Sequence, residues 1–208
     1  MWLSCALALD GCIYFMPADA RRIMKLDPNN GDAMSSVGDD LGDKGWKYSG
    51  TVVEIDGCVY GIPKYSKRVV KYDPINDVTS FVGEEANKDF GCNGNGVLAR
   101  DGCIYALDED CEVLEIDTTH NSHCIDGNTV ESDYDGFGWG DAILGIDGCF
   151  YLPPADAAQM LKYDPHSNLT SLVGGDFGTH YEDKWKGGCK APDGIIYCLP
   201  NNTKRLTH

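Results

Sequence analysis

DGCIYFMPADARRIMKLDPNNGDAMSSVG, residues 10–38, is the stretch that decides the fold, because its pattern returns along the whole chain. Its opening pair, Asp10-Gly11, recurs as Asp56-Gly57, Asp101-Gly102, Asp147-Gly148 and Asp193-Gly194, at spacings of 46, 45, 46 and 46 residues. Each pair is followed by an apolar residue and a tyrosine: Ile13-Tyr14, Val59-Tyr60, Ile104-Tyr105, Phe150-Tyr151 and Ile196-Tyr197. Next come Pro17, Pro63, Pro154 and Pro200 in equivalent places, with Asp108 in the third copy. Apolar runs ending in Asp-Pro follow, IMKLDP (23–28), VVKYDP (69–74) and MLKYDP (160–165), while the third copy reads VLEID (113–117) and then Thr118. SSVG (35–38), TSFVG (79–83) and TSLVG (170–174) close the units. Upstream of each Asp-Gly, in one register, lie Trp2, Tyr48, Asn93, Trp139 and Trp185. A fixed period of this kind marks a repeat architecture.

One unit reads as four short strands. Residues 52–55 turn at Asp56-Gly57, taken as a two-residue hairpin, into residues 58–62. A loop around Tyr65 leads to residues 68–72, and an Asp-Pro turn leads to residues 79–82. The runs are short, β-branched and bounded by turns, which excludes a helical solenoid. Four antiparallel strands at this period predict an all-β chain of β-propeller blades. The expected repeats are about 1–46, 47–92, 93–137 and 138–183, with a partial fifth at 184–208, in one domain. Lys204-Arg205-Leu206 matches Lys67-Arg68-Val69, so the fifth unit is expected to stop inside its third strand. The expectation is a fragment of a propeller of five to eight blades; the alternative is a four-bladed ring with a trailing hairpin. Residues 1–9 (MWLSCALAL) have the apolar length of a secretory-signal core but no basic n-region. Trp2 shares a register with Trp139 and Trp185, so this segment is expected to be a first strand.

Residues 10–38 resemble an NHL repeat, in which a DG-x-hydrophobic-Tyr hairpin precedes an Arg-hydrophobic strand and an Asp turn. The chain is similar to NHL, kelch and quinoprotein-like propellers rather than to WD-type ones, whose Gly-His and Trp-Asp marks are missing. Pro17, Pro63, Pro154 and Pro200 depart from the acidic residue that NHL repeats usually carry there.

Asp and Glu total 33 against 17 Lys and Arg, a net charge of −16. That balance disfavours sequence-independent nucleic-acid binding and anionic membrane surfaces, both of which need clustered cations. No apolar run approaches the ~20 residues of a membrane helix. The cellular compartment stays open, because the ten cysteines and the sequons at Asn168 and Asn201 do not choose one.

In a blade, the loop between the second and third strands and the connection to the next blade share one face. These connections carry Asp43, Trp46, Asp89, Phe90, Asp135, Phe137, Tyr181 and Asp183. Aromatic faces stack on sugars or cations, and carboxylates pair with cationic groups. The first reading is therefore a non-catalytic scaffold that recognises a protein, peptide or carbohydrate through these residues. The register-locked Trp2, Tyr48, Trp139 and Trp185 read instead as packing between blades. The alternative is a metal-dependent propeller enzyme of the lactonase or lyase kind. No Ser-His-Asp set, phosphate loop or nucleophile elbow is present. Open blade edges also leave room for self-association.

Asp133-Tyr134-Asp135-Gly136 with Asp141, and the run from Asp27 to Asp32, gather hard oxygens suited to calcium. Both are shorter than an EF-hand loop, and the same residues make ordinary turns. His120, His123 and Cys124 suggest a transition-metal site with no evident fourth ligand. The expectation is no cofactor, with calcium as the open alternative. Cys12, Cys58, Cys103 and Cys149 repeat in register and read as small apolar residues beside a turn. A two-residue turn at Asp193-Gly194 would set Cys189 directly opposite Cys198, a geometry suited to a disulfide.

Overall fold

The computed structural model describes residues 1–108, 112–126, 138–178 and 183–203. Strands β1 (Trp2–Leu7), β2 (Ile13–Pro17), β3 (Ile23–Asp27) and β4 (Ala33–Val37) form one sheet in chain order. So do β5 (Tyr48–Val53), β6 (Val59–Pro63), β7 (Val69–Asp73) and β8 (Val78–Val82). The third sheet holds β9 (Val97–Leu98), β10 (Cys103–Leu107), β11 (Val113–Asp117) and β12 (Ser122–Asp126). The fourth holds β13 (Ile143–Leu144), β14 (Phe150–Leu152), β15 (Met160–Asp164) and β16 (Leu169–Val173). β17 (Trp185–Lys190) and β18 (Ile196–Pro200) pair as a hairpin. Residues 1–9 supply the first strand, as the register of Trp2 requires. No described helix is long and apolar enough to cross a membrane.

The chain divides into two compact units, Met1–Asp108 with Leu114–Cys124, and Glu109–Val113 with Ile125–His208. In the first unit two apolar layers lie between successive sheets. One gathers Tyr14, Met16, Ile23, Tyr48, Val59, Val70 and Tyr72, all buried. The other gathers Tyr60, Ile62, Val69, Val82, Phe90, Ile104, Leu114 and Ile116. In the second unit Phe150 stacks on Tyr163 at 6.0 Å, and Phe177 meets Trp185 edge-on at 5.1 Å.

The Asp-Gly hairpins differ from the sequence reading in one respect: each loop has three residues. Ala8 N–H donates to the Cys12 carbonyl at 2.9 Å and Gly11 N–H to the Ala8 carbonyl at 3.0 Å, which leaves Leu9-Asp10-Gly11 as the loop. The same bonds recur from Glu54, Ala99, Gly145 and Ala191. The last loop residue is left-handed in every copy, from φ 81° at Gly11 to 89° at Gly194, and glycine alone takes that conformation without strain. The Asp at the loop centre does two jobs. Its Oδ1 accepts a backbone N–H two residues on, at 3.0 Å from Cys12 and 2.8 Å from Cys58. Its Oδ2 accepts the tyrosine hydroxyl of the next strand, at 2.8 Å for Tyr14 and 2.9 Å for Tyr151. Lys25, Lys71 and Lys162 close the set from the third strand, the last two at 2.9 and 3.0 Å. The third copy keeps Asp101 and Tyr105 but carries Glu115 in the lysine position.

This set makes stability pH-dependent. Burial alone would raise the Asp56 carboxyl, but hydrogen bonds from Lys71 and the Cys58 N–H hold it down at about 2. The unfolded chain therefore binds more protons than the folded chain between about pH 4 and 2, so stability is present above that window and lost through it. The Lys71–Asp56 pair is partly exposed, which limits its contribution to about 1 kcal/mol. Asp56→Asn should accordingly flatten the fall of the urea midpoint between about pH 4 and 2. Parallel curves for parent and variant would remove the assignment.

The extra loop residue shifts the hairpin register by one. Cys198 faces Gly188 and Cys189 faces Tyr197. Successive side chains of a strand point to opposite faces. Cys189 is accordingly exposed, Cys198 is buried, and both thiols are free. The cross-strand disulfide expected between Cys189 and Cys198 is not formed. The in-register cysteines are small core residues: burial first, and then Asp56, push the Cys58 thiol up to about 11.

The recurring aromatic and the recurring proline are partners. Trp2 faces Pro17, Tyr48 faces Pro63, Trp185 faces Pro200, and Trp139 bridges to Pro154. The third copy lacks both members together, with Asn93 and Asp108 in their places. Trp2 and Trp139 also donate their indole N–H to the carbonyls of Arg22 and Gln159, at 3.1 and 2.8 Å.

Candidate ligand groove in the first unit

Three connections of the first unit meet around a groove of about 280 Å³. The stretch between β4 and β5 contributes Leu41, Lys44 and Lys47, and Tyr48 follows at the start of β5. The loop after β6 contributes Tyr65, Ser66, Lys67 and Arg68. Phe81 of β8, with Glu85 and Asp89 beyond it, completes the lining. Local chemistry holds these loops in place. The Ser66 hydroxyl accepts the Arg68 N–H at 3.2 Å, and Phe90 N–H donates to the Ser66 carbonyl at 3.2 Å.

The two acids that line the groove are paired. Lys44 Nζ reaches both Asp89 oxygens, at 2.8 and 2.7 Å. Arg68 reaches Glu85 through Nε and Nη2, both at 3.1 Å, while its guanidinium lies 4.9 Å from the centre of the Phe81 ring. Asp40 pairs with Arg21 at 2.7 Å, and Asp43 lies 4.0 Å from the same guanidinium. Lys64 Nζ sits 5.4 Å from the Trp46 ring and 5.5 Å from the Tyr65 ring. Burial pushes the Tyr48 hydroxyl up to about 12, so it stays protonated.

Lys47 holds the inner wall. It is buried, and its ammonium donates to the carbonyls of Ala18, Ala20 and Lys44 at 3.2, 2.9 and 2.8 Å. Burial pushes it below the ordinary lysine value, with Asp19 and Asp43 opposing. The second unit repeats the device, where buried Lys184 donates to the Asp156 carbonyl at 3.2 Å. Both lysines face the word Pro-Ala-Asp-Ala, at 17–20 and 154–157.

The residues singled out by sequence divide as follows. Trp46 and Asp89 come to the groove or its rim, with Asp43 in the same connection. Trp46 is 45% exposed and left-handed at φ 54°, with its N–H held by Asp19 Oδ1 at 3.1 Å and its carbonyl by the Tyr65 N–H at 3.0 Å. Phe90 is a core residue, buried and edge-on to His123 at 5.1 Å, because its side chain turns inward under the connection. Asp183, in the second unit, occupies the turn position that Trp46 holds in the first, with φ 53° and its N–H on Asp156 Oδ1 at 2.7 Å. Phe137, Tyr181 and Asp135 lie outside the described residues. Sequence reasoning missed Lys44, Tyr65, Lys67 and Arg68 as groove residues. The signal was present in KYSKR (64–68), three cations in five residues of an otherwise acidic chain.

The suggested metal ligands have other partners. His120 Nδ1 lies 2.6 Å from Asp117 Oδ2, and His123 Nδ1 lies 3.1 Å from the Val82 carbonyl. Asp27 caps its own turn, with Oδ1 accepting the Asn29 N–H at 3.0 Å. Among the described residues no group of three or more His, Cys, Asp or Glu side chains is placed to hold a metal ion. The loop at 133–136 lies outside the described residues.

No protein-family model and no curated protein matches this chain. Among solved structures, the virginiamycin B lyase from Staphylococcus aureus is similar over 99% of this chain, with a TM-score of 0.77 and 12% identity. A streptogramin B lyase is similar over 98% at TM-score 0.75 and 12% identity. The hydrazine synthase of Kuenenia stuttgartiensis follows over 97% at TM-score 0.63 and 13% identity. The chain spans 65%, 66% and 56% of the lengths of these three proteins. Likeness at this level of identity carries the architecture, and the chain has an all-β, propeller-type fold built of four-stranded antiparallel blades.

Proposed function

We propose that this chain is a non-catalytic binding scaffold that recognises a protein, peptide or carbohydrate through the loop-face groove of its first unit. The observation that carries this reading is the groove itself. Side chains from three connections, far apart in sequence, converge on a seat of about 280 Å³ beside an exposed tryptophan in a strained backbone conformation. The hairpin words, with Arg21 and Arg22 before β3, support placement near the NHL and kelch kinds of propeller. The net charge of −16 supports a ligand other than nucleic acid or an anionic membrane. Backbone and indole resonances of the isotopically labelled full chain should shift at Trp46, Tyr65, Lys67 and Arg68 when a panel of glycans and peptides is added. A panel of both classes that leaves these resonances in place at millimolar concentration would retire the reading.

The similarity to two lyases favours a second reading, a propeller enzyme of that reaction class. Consumption of virginiamycin B by the purified chain, with and without added divalent cation, separates the two readings. Turnover would put the enzyme first.

A further inference from the structure

We propose that the ligand of this groove is an acidic saccharide, a sugar ring bearing a carboxylate, as in a hexuronate. The proposal rests on the groove being a ligand seat and adds the chemistry of what sits there.

Charge points to an anion. The lining holds four cations, Lys44, Lys47, Lys67 and Arg68, against two carboxylates, Glu85 and Asp89. Both carboxylates are committed, Asp89 to Lys44 and Glu85 to Arg68. The Lys47 ammonium is held by carbonyls, and the carboxylates of Asp19 and Asp43 act on it, so it adds little free positive charge. Lys67 is exposed and makes no ion pair among the described residues. The groove thus keeps positive charge on a chain whose net charge is −16. A carboxylate entering it meets Lys67 and the edge of Arg68.

The rings argue against a cationic ligand and for a sugar. Lys64 already lies against Trp46 and Tyr65, and Arg68 against Phe81, so a basic peptide would have to displace resident cations. Trp46 and Tyr65 still expose 45% and 40% of their surface. That surface suits the C–H face of a pyranose. The groove volume of about 280 Å³ lies just under the range of drug-sized pockets, room for a sugar ring rather than a folded epitope.

The backbone at Trp46 supplies an independent argument. Glycine takes a left-handed conformation without strain, and one connection later Gly91 does so at φ 76°. A tryptophan at φ 54° is held there at a conformational cost, with both its backbone groups bonded and its indole outside the core.

The test is calorimetric titration of the full chain with trigalacturonate, its fully methyl-esterified counterpart, neutral maltotriose, a short polyglutamate peptide and a short polylysine peptide, with resonance mapping. Trigalacturonate should bind at the groove and weaken with added salt. The ester, which removes the charge and adds a methyl to each carboxyl, should bind about tenfold more weakly. Lys67→Ala should cost about threefold. Trp46→Gly should cost about fivefold while leaving the thermal midpoint unchanged or higher, since glycine relieves the backbone. Equal affinity for acid and ester, tighter binding of polyglutamate, or full affinity in Trp46→Gly would overturn the saccharide. Maltotriose or polylysine shifting the groove resonances while trigalacturonate does not would also overturn it, with the binding-scaffold reading left standing. No shift from any probe would bring both down.

Discussion

Lys47→Met is expected to lower the free energy of unfolding by about 3 kcal/mol. The substitution keeps most of the alkyl stem and removes only the donors. The carbonyls of Ala20 and Lys44 lose the ammonium that satisfies them, at 2.9 and 2.8 Å, whereas the Ala18 carbonyl keeps the Lys47 backbone N–H at 3.0 Å. Both bonds are part-buried, and a carbonyl left there without a donor costs up to about 3 kcal/mol. Relief of the ammonium's own desolvation offsets part of this, which is why the figure stays below the sum for two orphaned carbonyls. In a chain of this size a loss of about 3 kcal/mol lowers the thermal midpoint by about 6–12 °C. Lys44→Ala, which removes an exposed pair with Asp89 from the same connection, should change stability by less than about 1 kcal/mol. Equal thermal midpoints for Lys47→Met and the parent would show that the carbonyls find water or other donors.

Gly50→Ala should be about as damaging, at roughly 2–3 kcal/mol. A Cβ at this position would stand 2.6 Å from the Gly94 carbonyl oxygen and 2.8 Å from the Asn95 Cα. Both neighbours are backbone, so no rotamer change relieves the contact. β5 would have to move away from the chain entering β9, opening the apolar layer that contains Ile62 and Ile104. The control is Gly175→Ala, where nothing lies within 4 Å of the added methyl and the expected change is within about 0.5 kcal/mol. Urea unfolding of both variants decides the point, and equal midpoints would mean that the strand separation tolerates a side chain.

The two largest effects thus fall on contacts between repeats, and these are the contacts a single repeat cannot show. Lys47 reads as one more cation in a polar stretch until the carbonyls of residues 18 and 20 are seen around it. Gly50 is one glycine in 25 until the backbone of residues 94 and 95 is seen against it. The word Pro-Ala-Asp-Ala, present twice with a lysine about 28 residues later each time, was the available trace of the first device.

By itself the sequence determined the blade. Strand alternation, the Asp-Gly and Asp-Pro turns and the 45- to 46-residue period are written in local chemistry. In the unit read strand by strand, the last three strands fall within a residue of their reading, and the first, Tyr48–Val53, begins earlier than the expected residue 52. Trp2 marked the first strand for the same reason. Tertiary structure decided register, burial and charge. One backbone bond, from Ala191 N–H to the Ile195 carbonyl, makes the last loop three residues long and sends Cys189 and Cys198 to opposite faces. Phe90 faces inward because His123, from another blade, packs against it. The loop face reads as acidic along the chain, yet the acids lining the groove are neutralised, since Asp89 meets Lys44 across 45 residues and Glu85 meets Arg68 across 17. A strand's pattern depends on neighbours two residues away, whereas the sign of a site depends on which loops meet, and only the folded chain brings those loops together.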